Sequence, residues 1–383
     1  MPIRKSFFNT IFALLIIIIL GNFSCKKSPS APSQTGPNFT VSVGTEQNIT
    51  QFGALGMLYF PDEHLSYLKL PDGSFKMWAT GDGGVLGFTT PDMLNLTSFV
   101  SASGVPSQIF SPIGGTNTAF DANYAGSGSV FQAANGKDLL MIYHAENHLF
   151  GTTLSNGNPF YMSVGLARST DGGITWQREG QILSGHDPKL ATQQSGGAGI
   201  GTPSAIEYNN YIYLFFREID PQSNVEGIGI ARAPVSGDGM PGTWQKLLNG
   251  KFNSSGLGGD FSPLSIILDA NSPSDHRQPF VSYNIYLQAF VLTIVGNGGI
   301  YFATSKDLLT WSPGKVVLPA PAPDASINIT SSPYNWYPTF VTLNQSSETI
   351  TDQTGYLYYA KGATDGTAKH AMYRRPLTIT LIK

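Results

Sequence analysis

The sequence predicts an all-β fold, and three observations predict it. Short apolar runs rich in Tyr, Phe, Val and Ile alternate with polar positions at the two-residue period of a strand. Gly, Asn, Asp and Pro separate these runs, and long stretches with a helical period are few. The runs also recur as a set, in the same order, along the chain. A repeated four-stranded antiparallel unit is the pattern of a β-propeller, and five units account for residues 38–383, so five blades are expected.

The units follow one another in order. Each opens on an innermost strand: "LSYLKLPDG" (65–73), "SGSVFQAANG" (127–136), "TPSAIEYNN" (202–210), "PFVSYNIYL" (279–287) and "WYPTFVTLN" (336–344). Each continues into a second strand: "FKMWATGDG" (75–83), "LLMIYHAENH" (139–148), "YIYLFFREID" (211–220), "AFVLTIVGNG" (289–298) and "GYLYYAKGAT" (355–364). A third follows, from "GGVLGFTTPD" (83–92) to "KHAMYRRPLT" (369–378). A short strand such as "GKVVLPA" or the terminal "LTITLIK" is expected to close each unit, and segment 38–50 to add an edge near the ring closure.

Residues 1–24 read as a signal peptide. Arg4 and Lys5 precede the apolar run 11–20, which is short for a membrane span, and Ser24 precedes Cys25. Cys25 is the only cysteine, so no disulfide within the chain is available. The stretch "LGNFSCKK" resembles a bacterial lipoprotein signal, which implies lipidation at Cys25 and a membrane anchor. Residues 25–37 then form the lipidated cysteine and a flexible tether rich in Ser, Pro, Gln and Gly. An exported, membrane-anchored lipoprotein, periplasmic or on the cell surface, is the expectation. The formal charge of −3 argues against a nucleic-acid partner, and the loss of Arg4 and Lys5 with the leader makes the remainder more acidic. A monomer is expected.

"STDGGITW" (169–176) lies between the third and fourth strands of the second unit. Worn counterparts sit at Ser305–Trp311, at Thr90-Pro91-Asp92 and at Gly242-Thr243-Trp244. Asp171 can accept backbone N–H bonds across such a turn, and the glycines can take positive φ, so a structural fastener is expected. A calcium loop would need spaced oxygen ligands and a distal Glu, which are missing. In a propeller the turn between third and fourth strands marks one face. The ends of second strands and the starts of innermost strands lie on the other, around the axis.

That opposite face collects the candidate residues. Second-strand ends carry Asp82, His144, Glu146, His148, Arg217, Glu218, Asp220 and Lys361. Innermost-strand starts and their loops carry Asp62, Glu63, Asp121, Asp187, Asp260, Asp275, His276 and Arg277, with Phe120, Tyr124, Phe150, Tyr334, Trp336 and Tyr337 among them. Carboxylates, Arg and flat rings suit a carbohydrate, and two carboxylates flanking a glycosidic bond can act as acid and base or nucleophile. In "IYHAENH" the side chains of His144, Glu146 and His148 share one face of a strand. A metal on these three is disfavoured, because alternate strand neighbours sit about 7 Å apart, and no cofactor is implied. The candidate catalytic set is Asp62 and Glu146, with Asp121 or Glu218 as helper. The candidate sugar-binding set is His144, His148, Arg217, Asp275, Arg277, Trp336 and Tyr337.

The unit pattern resembles five-bladed glycoside hydrolases of families 43 and 32, and "STDGGITW" resembles the Asp-box of sialidases. The family 43 resemblance implies a base Asp at Asp62. It also implies an Asp and a Glu at two positions where this chain has Thr202 and Gln278. The sialidase resemblance implies a three-Arg cluster, for which Arg217, Arg277 and Arg374 are the candidates. A glycosidase is the leading expectation. A non-catalytic glycan-binding lipoprotein and a protein-interaction propeller are the alternatives.

Overall fold

The computed structural model describes residues 36–382, apart from 51–54, 103, 115–117, 149–159, 187–196, 221–224, 269–276, 326–328, 330, 332 and 364–369. The expected signal peptide, Cys25 and most of the tether lie outside the described residues, as do Phe150, Asp187, Asp275 and His276. Among the described residues helix is confined to short 3-10 turns such as Val235–Gly237, and the remaining regular structure is strand.

The strands form successive antiparallel meanders. The first joins Ser66–Lys69, Phe75–Gly81, Gly84–Thr90 and Thr97–Ser98. The second joins Tyr124–Gln132, Leu139–His148, Phe160–Ser169 and Gln177–Ser184. The third joins Gly197–Tyr208, Tyr211–Asp220, Val225–Pro234 and Gln245–Leu248, with Lys251–Ser255 beyond them. A short parallel contact between Phe160–Met162 and Gly197–Gly199 links the second and third meanders. The fourth joins Arg277–Asn284, Ala289–Gly296, Gly299–Ser305 and Lys315–Leu318. The last joins Pro333–Val341, Thr354–Ala363 and Ala371–Leu381.

The closing strand of the last meander corrects the sequence expectation. "LTITLIK" is not a separate strand but continues Ala371–Leu381. The outer place is taken by Phe39–Val43, paired from Phe39 opposite Leu381 to Val43 opposite Leu377. Gln47–Asn48 adds a second contact on Arg374 and Tyr373.

The core is not one mass but a series of apolar layers between neighbouring meanders. Trp78 and Val85 meet Met141 and Tyr143 between the first and second. Ile142 and Leu166 meet Leu214 and Phe216 between the second and third. Phe215 and Ile230 meet Leu292 and Trp311 between the third and fourth. Phe302 and Val291 meet Phe340 and Leu357 between the fourth and last. Met77 and Phe88 meet Tyr358 and Met372, which returns the circuit to the first. Strands covered on both sides read as continuous apolar runs, as Ala289–Gly296 does, with every residue buried.

A belt of hydroxyls ties the innermost strands together. Val130 N–H donates to Ser66 Oγ at 2.8 Å, Ala205 N–H to Ser129 Oγ at 2.9 Å and Val281 N–H to Ser204 Oγ at 3.0 Å. Leu65 N–H donates to Thr339 Oγ1 at 3.1 Å and joins the first meander to the last. Each bond satisfies a buried backbone donor that would otherwise cost about 1–3 kcal/mol. Ser204 follows Pro203 and Thr339 follows Pro338, but Phe280 follows Pro279, so the fourth meander has no hydroxyl at that place.

Candidate active site

The turn at 169–176 is built by one carboxylate. Asp171 accepts from the Ile174 and Thr175 N–H groups at 3.1 and 3.0 Å, from Thr175 Oγ1 at 2.6 Å and from Ser169 Oγ at 2.7 Å. Burial acts against its charge, but these donors outweigh it and hold the carboxyl well below the usual carboxylate range. Trp176 donates to Gly173 O at 3.2 Å and packs edge-on against Trp78 of the first meander. Trp78 Nε1 donates to the same carbonyl at 3.0 Å. Asp307 makes the matching turn in the fourth meander, accepting from the Leu309 and Thr310 N–H groups at 2.9 and 2.7 Å. Every contact of Asp171 is spent on the turn and none on the axis.

On the opposite face the strand Leu139–His148 ends in the pocket. Its two-residue period sends His144, Glu146 and His148 to one side and Tyr143, Ala145 and Asn147 to the other. Glu146 Oε1 lies 3.1 Å from His144 Nε2, and Oε2 lies 2.8 Å from His148 Nε2. Burial raises the Glu146 pKa, but the two imidazole contacts more than offset it and bring it to about 2. His144 Nδ1 in turn lies 3.3 Å from Glu63 Oε1. Glu63 is 2% exposed and Oε2 has no hydrogen-bond partner. Burial, against a smaller opposing pull from His144, pushes Glu63 up to about 8. One imidazole therefore stands between a carboxyl that stays charged and one that keeps its proton.

Asp62 completes the acidic group beside an aromatic wall. Its backbone carbonyl accepts the Tyr124 hydroxyl at 2.5 Å, and its Oδ1 accepts the Tyr337 hydroxyl at 3.3 Å. His370 Nδ1 lies 3.4 Å from the same oxygen. The His370 ring stacks on Trp336 at 5.7 Å, Trp336 meets Tyr334 at 4.5 Å, and Tyr59 meets His370 edge-on at 5.1 Å. Tyr337 and Trp336 are half-buried, and Trp336 Nε1 has no hydrogen-bond partner.

Three innermost strands bend at the pocket in the same way. Thr202, Gln278 and Tyr337 each precede a proline and each have positive φ, at 50°, 52° and 52°. The strand registers shift at the same three places. Residues before proline favour extended backbone, so the sequence reading had no reason to expect the left-handed turn. The repeated X-Pro at matching positions was the available signal. His370, which comes from the last meander, carries no such signal in the sequence.

The structure does not bring every candidate to this pocket. Asp121 is fully buried on the other side of the strand, held by Tyr143 at 3.0 Å and Arg178 at 2.5 Å. Glu218 is buried with Lys246 at 3.5 Å and accepts the His186 N–H at 3.0 Å. Arg217 pairs with Glu226, and Lys361 pairs with Glu46 at 2.7 Å. Asp82 caps the Leu58 and Tyr59 N–H groups at 3.0 and 2.9 Å. Asp220 and Asp260 face His186 at 3.6 and 3.3 Å. Arg277 lies over the Tyr334 ring at 5.5 Å, at the edge of the aromatic wall. Arg374 packs on Tyr356 and donates to Gln47 and Tyr358, away from Arg217 and Arg277. The three-arginine cluster is not assembled.

A cavity of about 580 Å³ opens elsewhere, lined by Val130, Ile206, Tyr283, Phe290 and Glu207 among others. Its walls are the far ends of the innermost strands, remote from Glu146. Size alone does not make it the active site, because the clustered carboxyls and imidazoles lie at the other end.

No protein-family model matches the chain, and no curated protein matches it. Among solved structures it is similar to an endo-1,5-alpha-L-arabinanase from Thermotoga petrophila RKU-1. The TM-score is 0.50 at 11% identity, covering 86% of this chain and 72% of that one. It is also similar to an alpha-L-arabinofuranosidase from Podospora anserina in complex with cellotriose, with TM-score 0.49 and 10% identity over 90% of this chain and 98% of that one. A glycosyl hydrolase from Bacteroides ovatus gives TM-score 0.47 and 11% identity over 90% and 96%. The arabinanase likeness bears on the fold. This chain is a β-propeller.

Proposed function

We propose that the protein is a glycoside hydrolase, exported and anchored by a lipid at Cys25, whose five blades surround an axial carbohydrate site. The circuit of apolar layers and the hydroxyl belt from Ser66 round to Thr339 support five blades. The observation that carries the activity is the group Glu63, His144 and Glu146. Two carboxyls whose surroundings drive their protonation apart, joined by one imidazole, are what acid–base cleavage needs. Glu63 supplies the proton to the leaving oxygen. Asp62 and Glu146 are the carboxylates that face the developing positive charge, with Asp62 as base or nucleophile. The helper role expected of Asp121 or Glu218 passes to Glu63, because both of those are engaged elsewhere. Trp336, Tyr337 and His370 form the wall against which a sugar ring packs.

A sugar bearing a carboxylate is disfavoured, because the pocket is acidic and the arginines expected to hold such a group are dispersed. Thr202 and Gln278 favour a second reading, a site that binds glycan without cleaving it, since neither can act as an acid or a base. Turnover separates the two. Hydrolysis of arabino- and xylo-oligosaccharides should be measured for the unmodified chain, Asp62→Asn and Glu146→Gln. The glycosidase reading expects a loss on the order of 10²–10⁴-fold in each variant. Unchanged rates in both would reject the assignment, and no turnover in the unmodified chain would favour binding alone.

A further inference from the structure

Thr202 has the most costly backbone in the pocket. A β-branched residue at φ 50° is an outlier worth on the order of 1–3 kcal/mol. What the bend achieves is local. The register shift between Gly201 and Ser204 takes the Thr202 N–H out of the ladder, and it donates to His144 Nδ1 at 2.9 Å. Tyr337 repeats the device, its N–H donating to Gln278 Oε1 at 2.8 Å. In both cases a bulge in one meander hands a backbone donor to a side chain of the meander before it.

An N–H aimed at Nδ1 leaves that nitrogen as an acceptor, so the neutral ring carries its proton on Nε2, towards Glu146. Glu63 Oε1 faces the same bare Nδ1 at 3.3 Å. A carboxylate there would be repelled by a lone pair already engaged by the Thr202 N–H, whereas a neutral carboxyl is not. The other groups around the ring are Asp62, whose charge favours protonation, and Tyr124, edge-on at 5.1 Å. Burial lowers the His144 pKa, and Glu63 and Glu146 outweigh it and raise it. That rise presupposes a charged Glu63, and the Thr202 N–H leaves no room for a second proton at Nδ1.

We propose that Thr202 and His144 form a tautomer lock that keeps the pocket's mobile proton on Glu63 and holds Glu146 as an anion. Both act as positioning residues. The consequence for turnover rests on the glycosidase reading, while the lock itself does not.

The test uses the full chain labelled with ¹⁵N-histidine. Long-range NMR reads both ring nitrogens of His144 between pH 6 and 8, with the resonance assigned by its loss in His144→Gln. The expected result is a bare-nitrogen shift at Nδ1 and a protonated shift at Nε2. An Nδ1–H tautomer, or a doubly protonated ring throughout that range, overturns the lock. Carbon-13 labelling of glutamate adds a second readout. In His144→Phe the Glu146 titration midpoint rises towards the ordinary carboxylate value, whereas in Thr202→Gly, which keeps the N–H, it stays. A midpoint unmoved in His144→Phe counts against the lock. If His144→Phe fails to fold, the tautomer in the unmodified chain decides. Turnover of arabino-oligosaccharides is scored separately. A bare Nδ1 without turnover supports the lock and removes the glycosidase reading, and turnover with an Nδ1–H ring does the reverse.

Discussion

Replacing Glu63 by Gln should stabilise the protein at alkaline pH and do little at acid pH. The Glu63 carboxyl has its ordinary value of 4.5 when exposed and about 8 in the fold. Between those values the folded chain binds more protons than the unfolded chain, so stability falls as pH rises. The interval corresponds to about 5 kcal/mol. The opposing pull of His144 is part of that interval, so about 5 kcal/mol is the expected loss across the range. Gln keeps the shape and cannot ionise. Guanidinium unfolding should be followed from pH 5 to pH 9 for both chains. The two should nearly coincide at pH 5, with Glu63→Gln the more stable at pH 9 by that amount. Glu348 is raised to about 7 by burial and gives both chains a residual slope of the same sign, so the difference between them isolates Glu63. A difference that does not change with pH would refute the reasoning.

Other outcomes follow from the same geometry. Asp171→Ala should lower stability by about 1–2 kcal/mol, because several turn donors lose their acceptor; glycan binding should be unaffected, and a folded variant that no longer binds would show the turn to be part of the site. Ser204→Ala leaves the buried Val281 N–H without its partner and should cost about 1–3 kcal/mol in chemical denaturation; no loss would mean that the hydroxyl belt is incidental. Trp336→Ala should weaken oligosaccharide binding on the order of tenfold by calorimetry, with little change in the pH profile of any turnover. Glu146 behaves opposite to Glu63: with a folded value of about 2, its contribution is present above 4.5 and is lost as pH falls towards 2, so Glu146→Gln should flatten the acid limb of a stability profile.

The strands and the fastening turns were legible because period and turn chemistry are local. His144, Glu146 and His148 were legible as a group because parity on one strand fixes their shared face; Asp62 was legible only through its place before the first innermost strand. Asp121, Arg217 and Glu218 were misplaced for the same reason in reverse. A position near a strand end gives its height on the propeller but not its side, and Asp121 turned to Tyr143 and Arg178. In the sequence Glu63 is only one acid among many, since nothing local says that His144 from the next meander will cover it. The left-handed bends at Thr202, Gln278 and Tyr337 contradict the local preference of residues before proline, and only the neighbouring meanders stabilise them.

The pairing of Phe39–Val43 with Ala371–Leu381 also bears on how the protein is made. The latest of the described strands is the one that the earliest described strand pairs with. Until it arrives, two apolar layers lack a wall, since Met372 belongs to one and Leu377 and Ile379 to another. The meanders in between can form from local contacts while the chain is still growing. This clasp joins strands separated by nearly the whole described length, so closing it carries the largest loop-entropy cost of the pairings described. A nascent chain stalled short of residue 371 would thus be mostly folded yet open, with its adhesive edges exposed.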